Sequence, residues 1–299
     1  MFDILIGTLL PAQFAVPMIS QLNPKGFECY ELVFSGYPGD FAQLSEYAKQ
    51  VKEVLDGRKI SALGLYGNTM CDEKIYKKVE LLIQNAAAFD CKTVCVFAGG
   101  DPEKSVPDNM PLFQKIFEPL AKLAEEHDVK LGFENCGGGW KKGSHNIAFC
   151  PDAWELMFNA VTSDALGLEW EPAHQLGALA DPVSQLRKWA NKVVHVHGKD
   201  ATVAWDVIRE HGIHGAAPYV WHRQPGFGDS NWADLFTILL QAGFEGAVDI
   251  EGYHDAVHYD DMEWTSQLVS LDYLKRCRGG LDYFEGPAEY RGYQGRRKK

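Results

Sequence analysis

The sequence predicts a closed eight-stranded β/α barrel, and three observations predict it. Eight apolar runs of strand length alternate with amphipathic helical stretches along the 299 residues. No low-complexity linker interrupts that alternation, so residues 1–299 are expected to form one domain. The length also suits one barrel, which typically takes about 250 residues. The expected architecture is a single (β/α)8 TIM barrel of the α/β class. It should carry a long loop before the eighth strand and an irregular tail from residue 280.

The elements follow in order. FDILIG (2–7) lacks the basic region that precedes the apolar stretch of a secretory signal, so it reads as the first strand. CYELVF (29–34), KISALGLYG (59–67) and TVCVFAG (93–99) are the next three strands. VKLGFEN (129–135), ALGLEWE (165–171), KVVHVHG (192–198) and GAVDIEG (246–252) complete the eight. Such apolar runs, rich in β-branched and aromatic residues, suit parallel strands covered by helices. Helices are predicted over 41–55, 73–89, 112–127 and 232–244, where apolar residues recur at three- and four-residue spacing. For the last helix, Asp229 and Ser230 are candidate N-caps and Gly243 is the expected stop.

One interval departs from the rhythm. From residue 192 to 246 the chain is much longer than between other strand starts, and the surplus at 201–230 is expected to be a long loop over the site. It contains Trp205, His211, His214, Trp221, His222, Arg223 and the turn PGFG.

Composition narrows the partners. A net charge of −12 argues against nucleic acid and anionic membrane, both of which select basic surfaces. The terminal GRRKK reads as a solvated end, not a binding patch. No run approaches the roughly 18 apolar residues of a membrane span. Seven cysteines without a CxxC pair fit a reducing compartment, so a cytoplasmic protein with a small-molecule ligand is expected. Cys91 and Cys95 are expected to be buried thiols.

Four strands in the second half deliver metal-ligand side chains at or near their C-terminal ends: Glu134 in LGFEN, Glu171 in LGLEWEPAH, His197 in VVHVHGKD and Glu251 in AVDIEGYH. In a barrel these ends converge on the catalytic face. Carboxylates are almost never fully buried without a partner, and a cation is the simplest partner for three of them. The set is oxygen-rich and anionic, which suits Mn²⁺ first and Mg²⁺, Co²⁺, Fe²⁺ or Zn²⁺ as alternatives. Alternation along the strands puts Glu169 behind Glu171, and His195 behind His197 with Lys199 beyond it. Glu169 is the fallback ligand. A cation there would chelate two neighbouring substrate oxygens and stabilise an enediolate. Glu134 and Glu251 are candidates to remove and return the proton on opposite faces. His145, His174 or Lys199 could take over one of these transfers.

At these residues the chain resembles the sugar phosphate isomerase/epimerase superfamily, the xylose isomerase-like barrels that include tagatose 3-epimerase and inosose isomerase or dehydratase relatives. The resemblance spans roughly 1–275 and is carried by LGFEN, EPAH, HVHGKD and RQPGFGDSNW…GFEGAVDIEGYH. It implies metal ligation by Glu134, Glu171, His197 and Glu251, with acid/base roles for Glu134 and Glu251. It further implies substrate contacts from His174, Lys199 and Arg223, and a pocket position for Asn68. EPAH departs from the usual Asp-Pro-x-His, and the longer Glu171 side chain points to an uncommon substrate.

The leading expectation is a metal-dependent isomerase or epimerase of a keto-sugar, cyclitol or sugar derivative, acting through a metal-chelated enediolate. The alternative is a metal-dependent lyase or deglycosidase that eliminates a β substituent from a 3-keto-glycoside, as C-glycoside deglycosidase-like relatives do. A homo-oligomer is expected, with a distinct partner subunit if the lyase reading holds. A multinuclear phosphodiesterase like endonuclease IV is disfavoured by the acidic charge.

Overall fold

The computed structural model describes residues 2–286 and places eight parallel strands in a closed barrel. The first half runs β1 (Ile4–Pro11), α1 (Ala15–Leu22), β2 (Cys29–Val33), α2 (Leu44–Val54), β3 (Lys59–Leu65), α3 (Glu73–Asn85), β4 (Thr93–Val96) and α4 (Val106–Glu126). Then come β5 (Lys130–Glu134), α5 (Pro151–Ala160), β6 (Leu166–Trp170), α6 (Ala173–Gly177), α7 (Pro182–Trp189) and β7 (Val193–Gly198). The chain continues through β8 (Asp200–Val203), α8 (Trp205–His211), β9 (Val220–Arg223), α9 (Trp232–Gln241), β10 (Gly246–Ile250) and α10 (Glu263–Arg278). Around the barrel the order is β1-β10-β7-β6-β5-β4-β3-β2. β6 therefore faces β2 across the axis, and β5 faces β1.

Short polar caps set where helices begin. Asp72 accepts from the amides of Lys74 and Ile75 at α3, and Asp181 does the same for Val183 and Ser184 at α7. At α9 the cap is Asn231, which accepts from Asp234 N, in place of the expected Asp229 or Ser230. Asp229 is committed elsewhere: its carboxylate accepts from Val203 N at 2.8 Å. Gly243, just beyond α9, takes a left-handed φ of 77°, as a helix stop requires. Helix α4 begins at Val106 with a Ser105 cap, earlier than the sequence pattern predicts. Pro107 lies in the first turn, where the missing N–H costs nothing, so that proline did not mark a break.

The surplus before the last barrel strand is not an open loop. β8 and β9 pair antiparallel, Asp200 with Arg223 and Val203 with Val220, and α8 lies between them. Asp200 anchors this unit by accepting from Ala201 N, Ser230 N and Trp232 Nε1 at 2.8–3.0 Å. The hairpin arms lie sixteen residues apart around a short helix, so no tight-turn signal reveals them. α10 is tied to the barrel bottom by Arg278, which donates to Ile4 O at 2.8 Å and to the Glu28 carboxylate. Cys91 and Cys95 are buried free thiols. No described helix is long and apolar enough to cross a membrane. GRRKK lies outside the described residues, as does most of the expected tail.

One glycine marks how tightly the barrel interior is filled. A Cβ on Gly64 would sit 2.4 Å from Glu31 Oε1 and 2.8 Å from the Tyr66 hydroxyl. Gly64→Ala should therefore lower unfolding stability in guanidinium titrations by about 1–3 kcal/mol, the usual cost of overpacking.

Candidate metal centre

Strand ends bring the predicted ligands together. Glu134 closes β5, His197 is the penultimate residue of β7, and Glu171 and Glu251 follow β6 and β10 directly. One ligand atom from each of the four lies within 4.8 Å of the others, and all four residues are buried. Local hydrogen bonds fix this geometry. Asn135 clamps the β5 and β6 ends by donating to Glu171 O at 3.0 Å and accepting from Glu171 N at 2.7 Å. Asn146 donates to Glu134 O at 3.0 Å, and Glu251 N donates to Gly198 O at 3.1 Å.

The donor set fits a hard divalent cation. Both Glu171 carboxylate oxygens, His197 Nδ1 and Glu251 Oε2 are buried without a well-formed hydrogen bond, although His174 Nε2 lies 2.8 Å from Glu171 Oε1 and His197 Nδ1 lies 3.2 Å from Glu251 Oε2. Buried polar atoms are rarely left so; these four belong to the expected ligand set, and Glu169 Oε2 and His222 Nδ1 are likewise unpartnered. A cation would satisfy the four together. Cys136 also approaches Glu134 and His174, and burial and the Glu134 charge raise its thiol well above the ordinary range.

The other ring nitrogen of His197 turns into the barrel. His197 Nε2 lies 2.9 Å from Glu31 Oε2 and 2.9 Å from Glu169 Oε1, with the Tyr66 hydroxyl at 3.3 Å. Glu31 comes from β2, across the axis from β6. Glu31 Oε2 also lies 3.2 Å from His195 Nε2, and Asp249 Oδ2 is 3.3 Å from that same nitrogen. Burial alone would push the His197 imidazole down, yet Glu169 and Glu31 hold it well above its usual range. Burial would raise Glu31 in the same way, and the charges of His197 and His195 instead keep it well below. Glu169 and His195 therefore brace His197 from inside, as the strand alternation predicts. Glu31, Tyr66 and Asp249 were not anticipated. The available signal was an acid inside an apolar strand, Glu31 in CYELVF and Asp249 in GAVDI.

The mouth is electrostatically split. Burial raises Glu134 to about 8. Glu251 is held well below the carboxylate range, against burial, by Lys199 and His197; Lys199 Nζ is 2.8 Å from Glu251 Oε1. His174, on α6, puts Nε2 at 2.8 Å from Glu171 Oε1, and burial with the Lys199 charge lowers it to about 3. His222, from β9, lines the same cavity and is lowered to about 4 by burial and Lys199.

Three expected substrate contacts lie elsewhere. Asn68 is a turn residue: its amide donates to Gly100 O at 2.8 Å and accepts from Gly100 N at 3.1 Å. Arg223 is drawn to Asp255, with Nε 3.4 Å from Oδ2. His145 is exposed in the connection after β5. None of the three lines the cavity, whereas His174 and Lys199 do.

Two outcomes follow for the cluster. Glu31→Gln should weaken divalent-cation affinity roughly 10–100-fold in calorimetric titrations, the usual effect of losing a carboxylate behind a ligating histidine. Cation binding must also expel protons held by Glu134 and His197. Affinity should therefore rise with pH toward about 8, where Glu134 loses its proton. The heat of binding should differ between buffers of unlike ionisation enthalpy.

A family model described as "Xylose isomerase-like TIM barrel" matches residues 21–276. An uncharacterized protein, YfiH, from Bacillus subtilis (strain 168) is 25% identical over 244 residues, 71% of this chain and 77% of that protein. An inosose dehydratase from Clostridium tetani is 21% identical over 268 residues, 82% of this chain and 84% of that one. In structure the chain is similar to the 3-keto-D-glucoside 4-epimerase YcjR from E. coli, with a TM-score of 0.68 at 15% identity, covering 92% of this chain and 100% of that one. It is similar also to D-psicose 3-epimerase, with a TM-score of 0.67 at 15% identity over 93% of this chain and 100% of that one. At such identities the structural likeness speaks for the fold, and the sequence match supplies the family. The chain belongs to the xylose isomerase-like TIM barrel family.

Proposed function

We propose that this protein is a divalent-metal-dependent isomerase or epimerase of a keto-sugar, cyclitol or sugar derivative, working through an enediolate. The single observation that carries the reading is the convergence of Glu134, Glu171, His197 and Glu251, all buried, at the barrel mouth. These four would hold the cation, with Mn²⁺ the proposed metal and Mg²⁺, Co²⁺, Fe²⁺ or Zn²⁺ the alternatives. A bound divalent ion supplies Lewis acidity that polarises a carbonyl and acidifies the neighbouring C–H.

Glu134 and Glu251 come from the ends of β5 and β10, strands separated around the barrel by β7 and β6. Each would hold or move a proton on its own face of a planar enediolate. Lys199, 2.8 Å from Glu251, would orient that carboxylate and offer a donor to a substrate oxygen. His174 and His222 are kept neutral by burial, which suits hydrogen bonding to hydroxyls without adding charge.

Elimination is the second reading, and the curated relative named inosose dehydratase favours it. The same proton abstraction beside a carbonyl would then expel a β substituent. The relative YfiH carries no activity in its name and weighs for neither.

The test is exchange in D₂O with Mn²⁺-loaded protein across a panel of keto-sugars and keto-glycosides. Deuterium should enter at the carbon beside the carbonyl, and Glu134→Gln and Glu251→Gln should each slow entry by roughly 10²–10⁴-fold. Product that retains every substituent indicates isomerisation or epimerisation, whereas loss of the β group indicates the lyase. Metal bound with no exchange in any compound would contradict both.

A further inference from the structure

The mouth cavity has a volume of about 1030 Å³, at the upper end of what drug-sized ligands occupy. Its two walls differ in chemistry. Glu134, His197, Lys199 and Glu251 come from the β5, β7 and β10 side. Much of the remaining lining is Leu9, Pro11, Met18, Val33, Phe97 and Trp264, drawn from β1, α1, β2, the end of β4 and α10. The barrel order puts β1 and β2 across the axis from β5 and β6, so the apolar wall faces part of the ligand set.

That wall is open to a ligand. Leu9 and Val33 are half-buried although neighbouring Leu10 and Leu32 are fully buried, because they face the cavity. Phe14, at its rim, is 55% exposed. Polar side chains beside it are already engaged with other protein groups. Thr8 donates to Gln267 Oε1 at 2.7 Å, Gln267 donates to Glu263 Oε1 at 3.2 Å, and Ser35 Oγ accepts from Tyr66 N at 2.9 Å. Sugar hydroxyls laid against this wall would lose water without gaining partners, at about 1–3 kcal/mol each. Aromatic rings such as Phe97 and Trp264 can stack on a sugar face, but Leu9, Pro11, Met18 and Val33, from β1, α1 and β2, offer only aliphatic surface.

We infer that the substrate is two-part: vicinal oxygens at the metal end and an apolar substituent, alkyl or aryl, seated on the β1–β2–α10 wall. This rests on the proposed metal-dependent function and names the substrate class for that same site. Free, fully hydroxylated sugars would leave the wall unused.

The test uses hydroxyacetone and homologues lengthened on the methyl side up to a hexyl chain, titrated calorimetrically into Mn²⁺-loaded protein. Each offers one carbonyl and one hydroxyl for the cation end, with a tail of increasing length. Affinity should rise about threefold to fourfold per methylene until the wall is covered, the gain expected for burying a CH₂. In Met18→Gln or Val33→Thr that step should shrink, and the wild-type series stands as a test even if a variant folds poorly. Metal-dependent binding of hydroxyacetone with no gain from the longer tails would overturn the two-part substrate while leaving the proposed function intact. No metal-dependent binding by any member would sink the function and this subsite together. A tail gain unchanged in both variants, or equal without metal, would also overturn the inference.

Discussion

The site depends on one imidazole working in two directions. His197 turns Nδ1 toward the mouth, 3.2 Å from Glu251, and Nε2 toward the buried carboxylates of Glu31 and Glu169. Without positive charge at that position, the barrel axis would hold carboxylates from β2, β6 and β10 with too little to balance them. Uncompensated buried charge costs several kcal/mol per ion, so the upper barrel needs either protons or a cation. The interior pairs supply the first, and the mouth is arranged for the second.

Packing makes room for this polar column. Gly64 leaves the space that Glu31 and Tyr66 fill, and a side chain at Gly7 would collide with Asp249 Oδ1 at 2.0 Å. The column spans the barrel: Glu31 enters from β2 and Glu169 from β6, on opposite walls. The histidine is thereby held from both sides of the barrel, which fixes the ring more firmly than one strand could. The closed barrel also explains the asymmetry of the mouth, where strands that bear ligands face strands that bear aliphatic side chains.

Much of the fold was legible because parallel strands buried on both faces leave near-continuous apolar runs, and each of the eight predicted runs overlaps a barrel strand. The β8–β9 pair escaped because its arms are separated by a helix and lack a tight-turn signature. The convergent strand-end residues were legible for a different reason. Glu134, Glu171, His197 and Glu251 sit at equivalent heights on their strands, and that regularity survives in one dimension. Glu31 was missed because a single acid in CYELVF has no sequence neighbour to betray its partner, which lies more than 160 residues away on β7. Asn68 and Arg223 turn to polar partners distant in sequence, Asn68 to Gly100 and Arg223 to Asp255, which no local motif announces. Three-dimensional pairing settles such cases, and sequence spacing does not.

The account stands on one cation gripped by four strand-end groups. Anomalous scattering at the manganese edge from crystals grown with Mn²⁺ tests this most directly. One peak should lie among Glu134, Glu171, His197 and Glu251, at about 2.0–2.3 Å from their oxygens and nitrogen. A peak seated instead between Glu31, Glu169 and His195, or none at full saturation, would contradict it.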